Sequence, residues 1–191
     1  MDMNSIKKSL ENWLNQLNHF SFNTYEALPD IDLYMDQIVT FLEKQLFIFQ
    51  TTSTDKQITP SMINNYVKGN VIPAPISKRY NKEHIAQIDE VCTLKQVLTI
   101  AEVKQIEDNR YLNKTLKSDT FNSFNQLNTK KINTVVTEAF KALNNIEEND
   151  TDALINLALD FSLAANAYIS VAKRILFLAR NYELINKNNE E

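Results

Sequence analysis

The sequence predicts an all-α protein that carries one small β wing. Its 191 residues include one glycine and four prolines, too few for the many turns of an all-β fold. Apolar residues recur at intervals of three and four along most of the chain, which is the period of amphipathic helices. Between residues 58 and 85 a proline-rich turn with a basic tip interrupts this pattern. A short helix, such a turn and a second helix follow the order of a winged helix-turn-helix head, which we place at residues 27–108.

The N-terminal segment, residues 1–26, is predicted to be an amphipathic helix followed by a connector. Between residues 4 and 20 the apolar side chains fall at helical spacing, with lysines and asparagines between them.

A second helix is predicted to begin at Pro29-Asp30. Proline suits a first helical turn, and the Asp32 carboxylate would lie near the positive end of the helix dipole. The apolar residues of this helix share one face: Ile31, Tyr34, Met35, Ile38, Phe41, Leu42 and Leu46. The polar stretch from Gln50 to Gln57 then predicts a loop that is longer than a tight helix-turn-helix turn.

The recognition helix is predicted at residues 60–68. Thr59 or Ser61 is its predicted cap, and Pro60 suits its first turn. One side of this helix is apolar, and the other side carries the polar residues Asn64, Asn65 and Lys68. Gly69, the single glycine of the chain, directly follows the helix and predicts a positive φ at that position.

The wing is predicted at residues 71–80. Pro73 and Pro75 disfavour helix and favour an extended backbone. Lys78, Arg79 and Tyr80 form the predicted tip or return arm.

Four further helices are predicted after the wing. Asn81 caps a helix over residues 81–97, and Thr99 caps a short one that reaches residue 108, with Glu102 at its capping-box position. A longer helix covers residues 118–145, and the last runs from Thr151 or Asp152 to residue 186. This last helix is apolar on most faces and has alanines that permit close helix contact: Ala158, Ala164, Ala165, Ala167 and Ala172. Residues 109–186 are therefore predicted to be a helical body, either an intramolecular bundle or a dimerisation element, before a polar tail at 187–191.

The residue types of the head suit DNA. Asparagine side chains such as those of Asn64 and Asn65 can read adenine edges, and Lys or Arg side chains bind phosphates. The tyrosines could donate their hydroxyls to phosphates while their rings pack below. The candidate contact residues are Ser61, Asn64, Asn65, Tyr66, Lys68, Lys78, Arg79, Tyr80 and Lys82. The simpler interpretation is a solvated helix face in an asparagine-rich protein, with the tyrosines serving only in packing.

Two family resemblances strengthen this interpretation. The head resembles the DNA-binding head of MerR-type regulators in residues 61–66, 72–73, 79–85 and 98–103. It also resembles the family called domain of unknown function (DUF) 1836 in residues 27–37, 62–68 and 78–80. The MerR resemblance implies a non-catalytic transcriptional regulator that reads double-stranded DNA as a homodimer, and we expect the C-terminal helices to form the dimer.

Charge and composition narrow the classes of function. The net charge is −4, yet residues 56–84 hold five basic residues against one acid, Glu83. A single cysteine, Cys92, excludes an internal disulfide and a cysteine-based zinc site, and we expect it in the core.

His19 and His84 have no motif around them, so we expect no enzyme activity, no cofactor and no metal. No signal peptide is visible and charges interrupt the apolar C-terminal stretch, so we expect a cytoplasmic protein without a membrane span.

Two alternative functions remain open at this point. The chain could be a protein-interaction module that keeps the helix-turn-helix fold without binding DNA. It could also be a ligand-sensing regulator whose pocket lies among the aromatic residues of the body, namely Phe121, Phe124, Phe140, Phe161, Tyr168 and Phe177.

Overall fold

The computed structural model describes residues 3–50, 58–111, 117–147 and 150–189. Across these ranges the secondary structure is helical, which confirms the all-α prediction. The α-helices are α1 (Met3–Asn18), α2 (Met35–Leu46), α3 (Pro60–Lys68), α4 (Lys82–Leu94), α5 (Ile100–Tyr111), α6 (Lys117–Leu143) and α7 (Thr151–Asn189), with short 3-10 turns at Tyr25–Ala27 and Phe47–Phe49. The predicted loop between Gln50 and Gln57 lies outside the described residues from position 51 onward.

The chain divides into two compact units, each made of two separate stretches of sequence. Unit 1 comprises Met1–Phe22 and Asn125–Tyr168. Unit 2 comprises Asn23–Phe124 and Ile169–Glu191, and it contains the predicted DNA-binding head.

Unit 1 has a small apolar core. The buried residues of α1 are Leu14 and Leu17, and those of α6 in this unit include Val136, Ala139 and Leu143. The ammonium group of Lys7 donates to the Ile146 carbonyl at 3.2 Å and ties α1 to the end of α6. Asp150 caps α7, because its Oδ1 accepts from the Ala153 N–H at 2.8 Å; the cap had been predicted one or two residues later.

Unit 2 has the larger core, to which α2 to α6 all contribute. Its fully buried side chains include Ile38, Leu42, Ile63, Ile85, Ile88, Val91, Val103 and Phe121. Cys92 is buried among them, which confirms its predicted place in the core, and this burial raises the pKa of its thiol. The predicted capping box at the start of α5 is present, since Glu102 Oε2 accepts from the Thr99 N–H at 2.7 Å and Thr99 Oγ1 accepts from the Glu102 N–H at 3.3 Å.

The second helix begins later than the sequence predicts. α2 begins at Met35 and not at Pro29, and Tyr34, the residue directly before it, has an extended backbone. Leu33 pairs with Tyr80 in an antiparallel bridge, in which each N–H donates to the other carbonyl at 2.9 Å. Ile31, predicted on the buried face, is 69% exposed. The predicted first turn of this helix is therefore absent, and Leu33 pairs instead with the backbone of Tyr80.

The predicted β wing is not a sheet. Within the described ranges no strand is formed, and residues 71–80 carry two isolated antiparallel bridges, Leu33 to Tyr80 and Ile76 to Arg79. The second bridge closes a two-residue turn, so the predicted wing is a single tight turn.

The last helix, α7, continues to Asn189, three residues past its predicted end, and thus includes part of the predicted tail. Its segment Thr151–Tyr182 is long and apolar enough to cross a membrane by length and composition, with a mean hydropathy of 1.4 in its most apolar window. None of that window is buried. One helix of this kind is weak evidence for a membrane span. The helix exposes large apolar side chains, among them Leu163, Val171 and Leu178.

Candidate nucleic-acid interface

Helix α3 presents a polar face to solvent, as the sequence predicts. Thr59 caps it, since its Oγ1 accepts from the Met62 N–H at 3.3 Å, and Pro60 occupies the first turn. Ile63 and Tyr66 are buried, while the predicted contact residues of the opposite face are all exposed: Ser61, Asn64, Asn65 and Lys68. Side chains that can donate to or accept from base edges therefore lie along one exposed side of a well-anchored helix.

The end of α3 does not need a left-handed glycine. Gly69 has φ −78°, and the positive φ falls on Asn70, at 51°. Asparagine tolerates this conformation because its short polar side chain can hydrogen-bond locally. A Cβ on Gly69 would lie 3.3 Å from the Asn65 carbonyl oxygen, so a side chain there would require the backbone to shift by a few tenths of an ångström.

The segment predicted to be a wing is a tight hairpin turn with a basic tip. The Ile76 N–H donates to the Arg79 carbonyl at 3.1 Å, and the Arg79 N–H donates back to the Ile76 carbonyl at 2.9 Å. The two central residues, Ser77 and Lys78, have φ values of 51° and 63°. Two successive positive φ values are the mark of a type I′ turn, the form that matches the twist of hairpin strands. Ser77, Lys78 and Arg79 are all exposed at this tip.

Tyr34 fixes the position of the Arg79 guanidinium. Nε and Nη2 of Arg79 donate to the Tyr34 hydroxyl at 3.2 and 3.0 Å, and the guanidinium carbon lies 5.1 Å from the centre of the Tyr34 ring. Arg79 is held at the surface without an acidic partner among the described residues, so its charge stays available to an anion.

Lys82 is placed differently from the other predicted cations. Its ammonium group lies 2.5 Å from Asp30 Oδ1 and 5.3 Å from the centre of the Tyr25 ring. Its side chain is only 20% exposed. The carboxylate of Asp30 offsets its charge, so Lys82 contributes less to a positive surface than the sequence predicts.

Both predicted tyrosines lie in the core. Tyr66 is 3% exposed and its hydroxyl is buried, so it supports α3 from below and offers no hydroxyl at the surface. Tyr80 is also 3% exposed, and its ring meets the ring of His84 edge to face with centroids 5.7 Å apart. Asn81 caps α4 by accepting from the His84 N–H at 3.0 Å. These three residues brace the turn against α4.

Sequence reasoning missed two residues of this region. The apolar spacing places Tyr34 on a buried helix face, whereas the structure leaves it 46% exposed and in contact with Arg79. Lys104 of α5 donates to the Asn70 carbonyl at 2.7 Å and to Asp108 at 3.1 Å, and thereby fixes the end of α3. Neither contact has a local sequence signal, since the paired residues are 45 and 34 positions apart.

Within unit 2, α4 and α5 bury a cluster of carboxyl groups, formed by Asp89, Glu90 and Glu107. Arg110 donates to Glu90 Oε1 at 3.1 Å and to the Thr120 carbonyl at 2.7 Å. Burial, and then the charge of Glu90, raise the pKa of Glu107 to about 9 and that of Asp89 to about 7. Burial also raises the pKa of Glu90, although Arg110 opposes this effect. The described residues contain no group of side chains that could hold a metal ion, here or elsewhere.

The aromatic residues proposed for a ligand pocket do not form one group. Phe121 lies in the core of unit 2, and Arg110 lies over the ring of Phe124 at 5.2 Å. Phe161 and Tyr168 instead line an apolar groove of about 870 Å³ in unit 1. Further lining residues are Ile6, Leu10 and Trp13 of α1 and Leu154, Leu157 and Ala164 of α7.

One family model matches this chain. It is described as domain of unknown function (DUF1836), and it covers residues 23–129, more than half of the sequence. The match begins where unit 2 begins and includes α2 to α5 with the type I′ turn. No curated protein and no solved structure matches the chain.

Proposed function

The chain belongs to the family described as domain of unknown function DUF1836, and we propose that it is a sequence-specific, non-catalytic DNA-binding regulator of transcription. The observation that carries the proposal is the exposed polar face of α3, followed by a tight turn with a basic tip. We propose that α3 lies in the major groove as the recognition helix of a MerR-like winged helix-turn-helix, with the Ile76–Arg79 turn as its wing. Family membership supports a common fold and does not itself name a function.

The proposed roles of the residues follow from their chemistry and placement. Asn64 and Asn65 are exposed on α3 and can bind adenine edges with two hydrogen bonds each. Lys68, Lys78 and Arg79 are exposed cations that can bind phosphates, and Tyr34 keeps the guanidinium in place. Ser61 near the start of α3 can donate its hydroxyl to the DNA backbone.

Three phosphate contacts imply a modest affinity for one head. With three neutralised phosphates the slope of log K against log salt is about −2.7, and two heads on one duplex would give about −5.4. A single head is thus weak at physiological salt, and two joined heads would read a two-fold site.

The test is fluorescence anisotropy of the protein on a duplex from upstream of its own gene and on a scrambled duplex, over a salt series. We expect preference for the upstream duplex and a steep loss of affinity with salt. Asn65→Ala should relax the preference at one base pair, while Lys68→Ala should weaken binding to every sequence. The matched controls are Asn133→Ala and Lys130→Ala, exposed residues of α6 in unit 1. Equal effects of control and head variants would overturn the assignment of α3.

A second candidate function is a protein-interaction module without DNA binding. The exposed apolar length of α7 and the net charge of −4 favour it. Salt-independent binding that does not distinguish the two duplexes, together with a stable complex formed through α7, would favour this module over the regulator.

A further inference from the structure

The apolar groove of unit 1 is large enough to hold a small molecule. Its volume is about 870 Å³, and α1, α6 and α7 each contribute to its walls. All of its lining residues fall between Ile6 and Leu17 or between Val135 and Tyr168, so the groove lies entirely within unit 1. Small-molecule sites in proteins are mostly apolar clefts of roughly 300–1,000 Å³, and this groove falls within that range.

The floor of the groove is buried and its rim is exposed to solvent. The lining residues of the floor come from α1 and α6 and are buried: Leu14, Leu17, Val136 and Ala139. At the rim, Val135 is 48% exposed and Tyr168 is 78% exposed. Covering such apolar surface is favourable because it removes the surface from water.

Three aromatic rings line the groove, those of Trp13, Phe161 and Tyr168. Trp13 is 40% exposed, so it presents ring surface at the rim as Tyr168 does. The face of an aromatic ring attracts a cation, most strongly in tryptophan, and proteins recognise quaternary ammonium groups in this way. The rings therefore favour a ligand that is both apolar and positively charged.

Glu138 of α6 is the only charged residue among those that line the groove. Its side chain is exposed, and no ion pair within the described ranges neutralises it. A ligand that covers this carboxylate also removes water from it, which is costly unless the ligand brings a compensating charge. A cationic ligand supplies that charge, whereas an anionic ligand would be repelled.

We propose that the groove binds an organic cation with a bulky apolar body. The apolar walls hold the body, and burial of its surface supplies most of the affinity. The carboxylate of Glu138 and the aromatic rings at the rim select the positive charge. A membrane surface is a poorer occupant, because a flat bilayer would leave the concave floor uncovered.

This site does not depend on whether α3 binds DNA. None of the lining residues falls within the family match at 23–129, and all of them lie outside unit 2. Binding to the groove can therefore be measured without any duplex.

The first test compares two ions of the same shape and opposite charge, tetraphenylphosphonium and tetraphenylborate. Trp13 is the one tryptophan of the chain, so its fluorescence reports on the groove, and equilibrium dialysis gives the dissociation constant independently. We expect saturable binding of one phosphonium ion to each chain, with weaker binding of the borate. No saturable binding of the phosphonium, or equal or tighter binding of the borate, would overturn the proposal.

The role of the carboxylate is tested with Glu138→Gln, which keeps the shape of the side chain and removes its charge. We expect its affinity for the phosphonium to fall about threefold to fivefold, as for an exposed ion pair, with no loss for the borate. Glu147→Gln, an exposed acid of unit 1 outside the groove, is the matched control and should change neither affinity. Equal effects of the two variants would remove Glu138 from the site.

The location is tested by filling the groove. Ala164→Phe places a ring inside it and should abolish binding of both ions. Ala167→Phe, at an exposed alanine of the same helix that does not line the groove, should leave binding unchanged. Circular dichroism checks that both variants keep the helical fold. If the two variants bound the phosphonium equally well, the site would lie elsewhere. Trp13 emission that changes on dilution or with phosphatidylglycerol vesicles, without phosphonium binding, would give the groove to another occupant and overturn the proposal.

Discussion

The guanidinium of Arg79 is bound through two of its nitrogens to the hydroxyl of Tyr34, a residue 45 positions earlier in the chain. Tyr34 immediately precedes α2, and Arg79 ends the type I′ turn. The bridge between Leu33 and Tyr80 lies directly beside this contact and holds both residues in place. The exposed charge at the proposed wing is therefore oriented before any ligand arrives.

Removing the Tyr34 hydroxyl should weaken DNA binding without unfolding the head. Tyr34→Phe keeps the ring but removes the acceptor, so Arg79 must be ordered by the DNA itself. We expect a loss of a few-fold in affinity for all duplexes, and a stability change within about 1 kcal/mol, the size of one exposed hydrogen bond. Anisotropy and thermal unfolding measure the two effects. In the double variant with Arg79→Ala the tyrosine change should add nothing; additive losses would contradict the coupling.

Lys78 and Lys82 should differ in their effect on DNA affinity although both lie in the basic segment. Lys78 is exposed at the turn, whereas Asp30 pairs with Lys82. Lys78→Ala should lower the magnitude of the salt slope by about one, and Lys82→Ala by much less. Salt titrations of both variants on one duplex make the comparison. A larger effect from Lys82 would mean that the Asp30 pair opens on binding.

The stability of the protein should fall as pH rises above the ordinary range of carboxyl groups. The pKa of Glu107 is raised from 4.5 to about 9 in the folded state, so the folded protein keeps a proton that the unfolded chain releases. The stabilisation is complete below about pH 4.5 and is lost as pH rises to about 9, at about 1.4 kcal/mol for each unit of pKa difference. Asp89 adds a second loss between pH 3.8 and about 7.

Glu107→Gln should remove the upper part of this pH dependence. The amide has the same shape and does not ionise, so we expect greater stability than the parent at pH 9 and a flatter curve between pH 7 and 9. Urea unfolding at pH 5, 7 and 9 measures this, with the exposed Glu147→Gln as control. If the parent and Glu107→Gln lost stability in parallel, the cause of the pH dependence would lie outside the cluster.

The type I′ turn should respond to the residue at its first central position. Ser77 has φ 51°, a conformation that asparagine tolerates and that β-branched residues resist. Ser77→Asn should stabilise the protein by a few tenths of a kcal/mol, and Ser77→Val should destabilise it by about 1–2 kcal/mol. Thermal unfolding of both variants tests the order. Equal stability would show that the turn is not part of the cooperative unit.

Local signals made α3 predictable and left its surroundings unpredictable. Thr59, Pro60 and the apolar spacing after them predict a helix at residues 60–68. The structure has α3 at the same nine residues, with Thr59 as its cap. The start of α2 was wrong because the bridge from Leu33 to Tyr80 depends on a residue 47 positions away. The burial of Tyr66 and the pairing of Lys82 with Asp30 likewise depend on tertiary packing. Spacing within a helix is encoded locally, whereas the partner of a single side chain is not.

Unit 2 consists of two stretches of sequence, Asn23–Phe124 and Ile169–Glu191, and its folding during synthesis depends on the second stretch. The side chain of Gln105 donates to the Leu176 carbonyl at 2.9 Å, and Leu176 packs against the apolar core of unit 2. That core cannot be fully covered until residue 176 has left the ribosome, some 65 residues after α5 has emerged. During synthesis the apolar core of unit 2 therefore stays partly exposed to solvent until the segment around Leu176 has been translated. A ribosome stalled between α5 and Leu176 would hold a chain with this core incompletely covered.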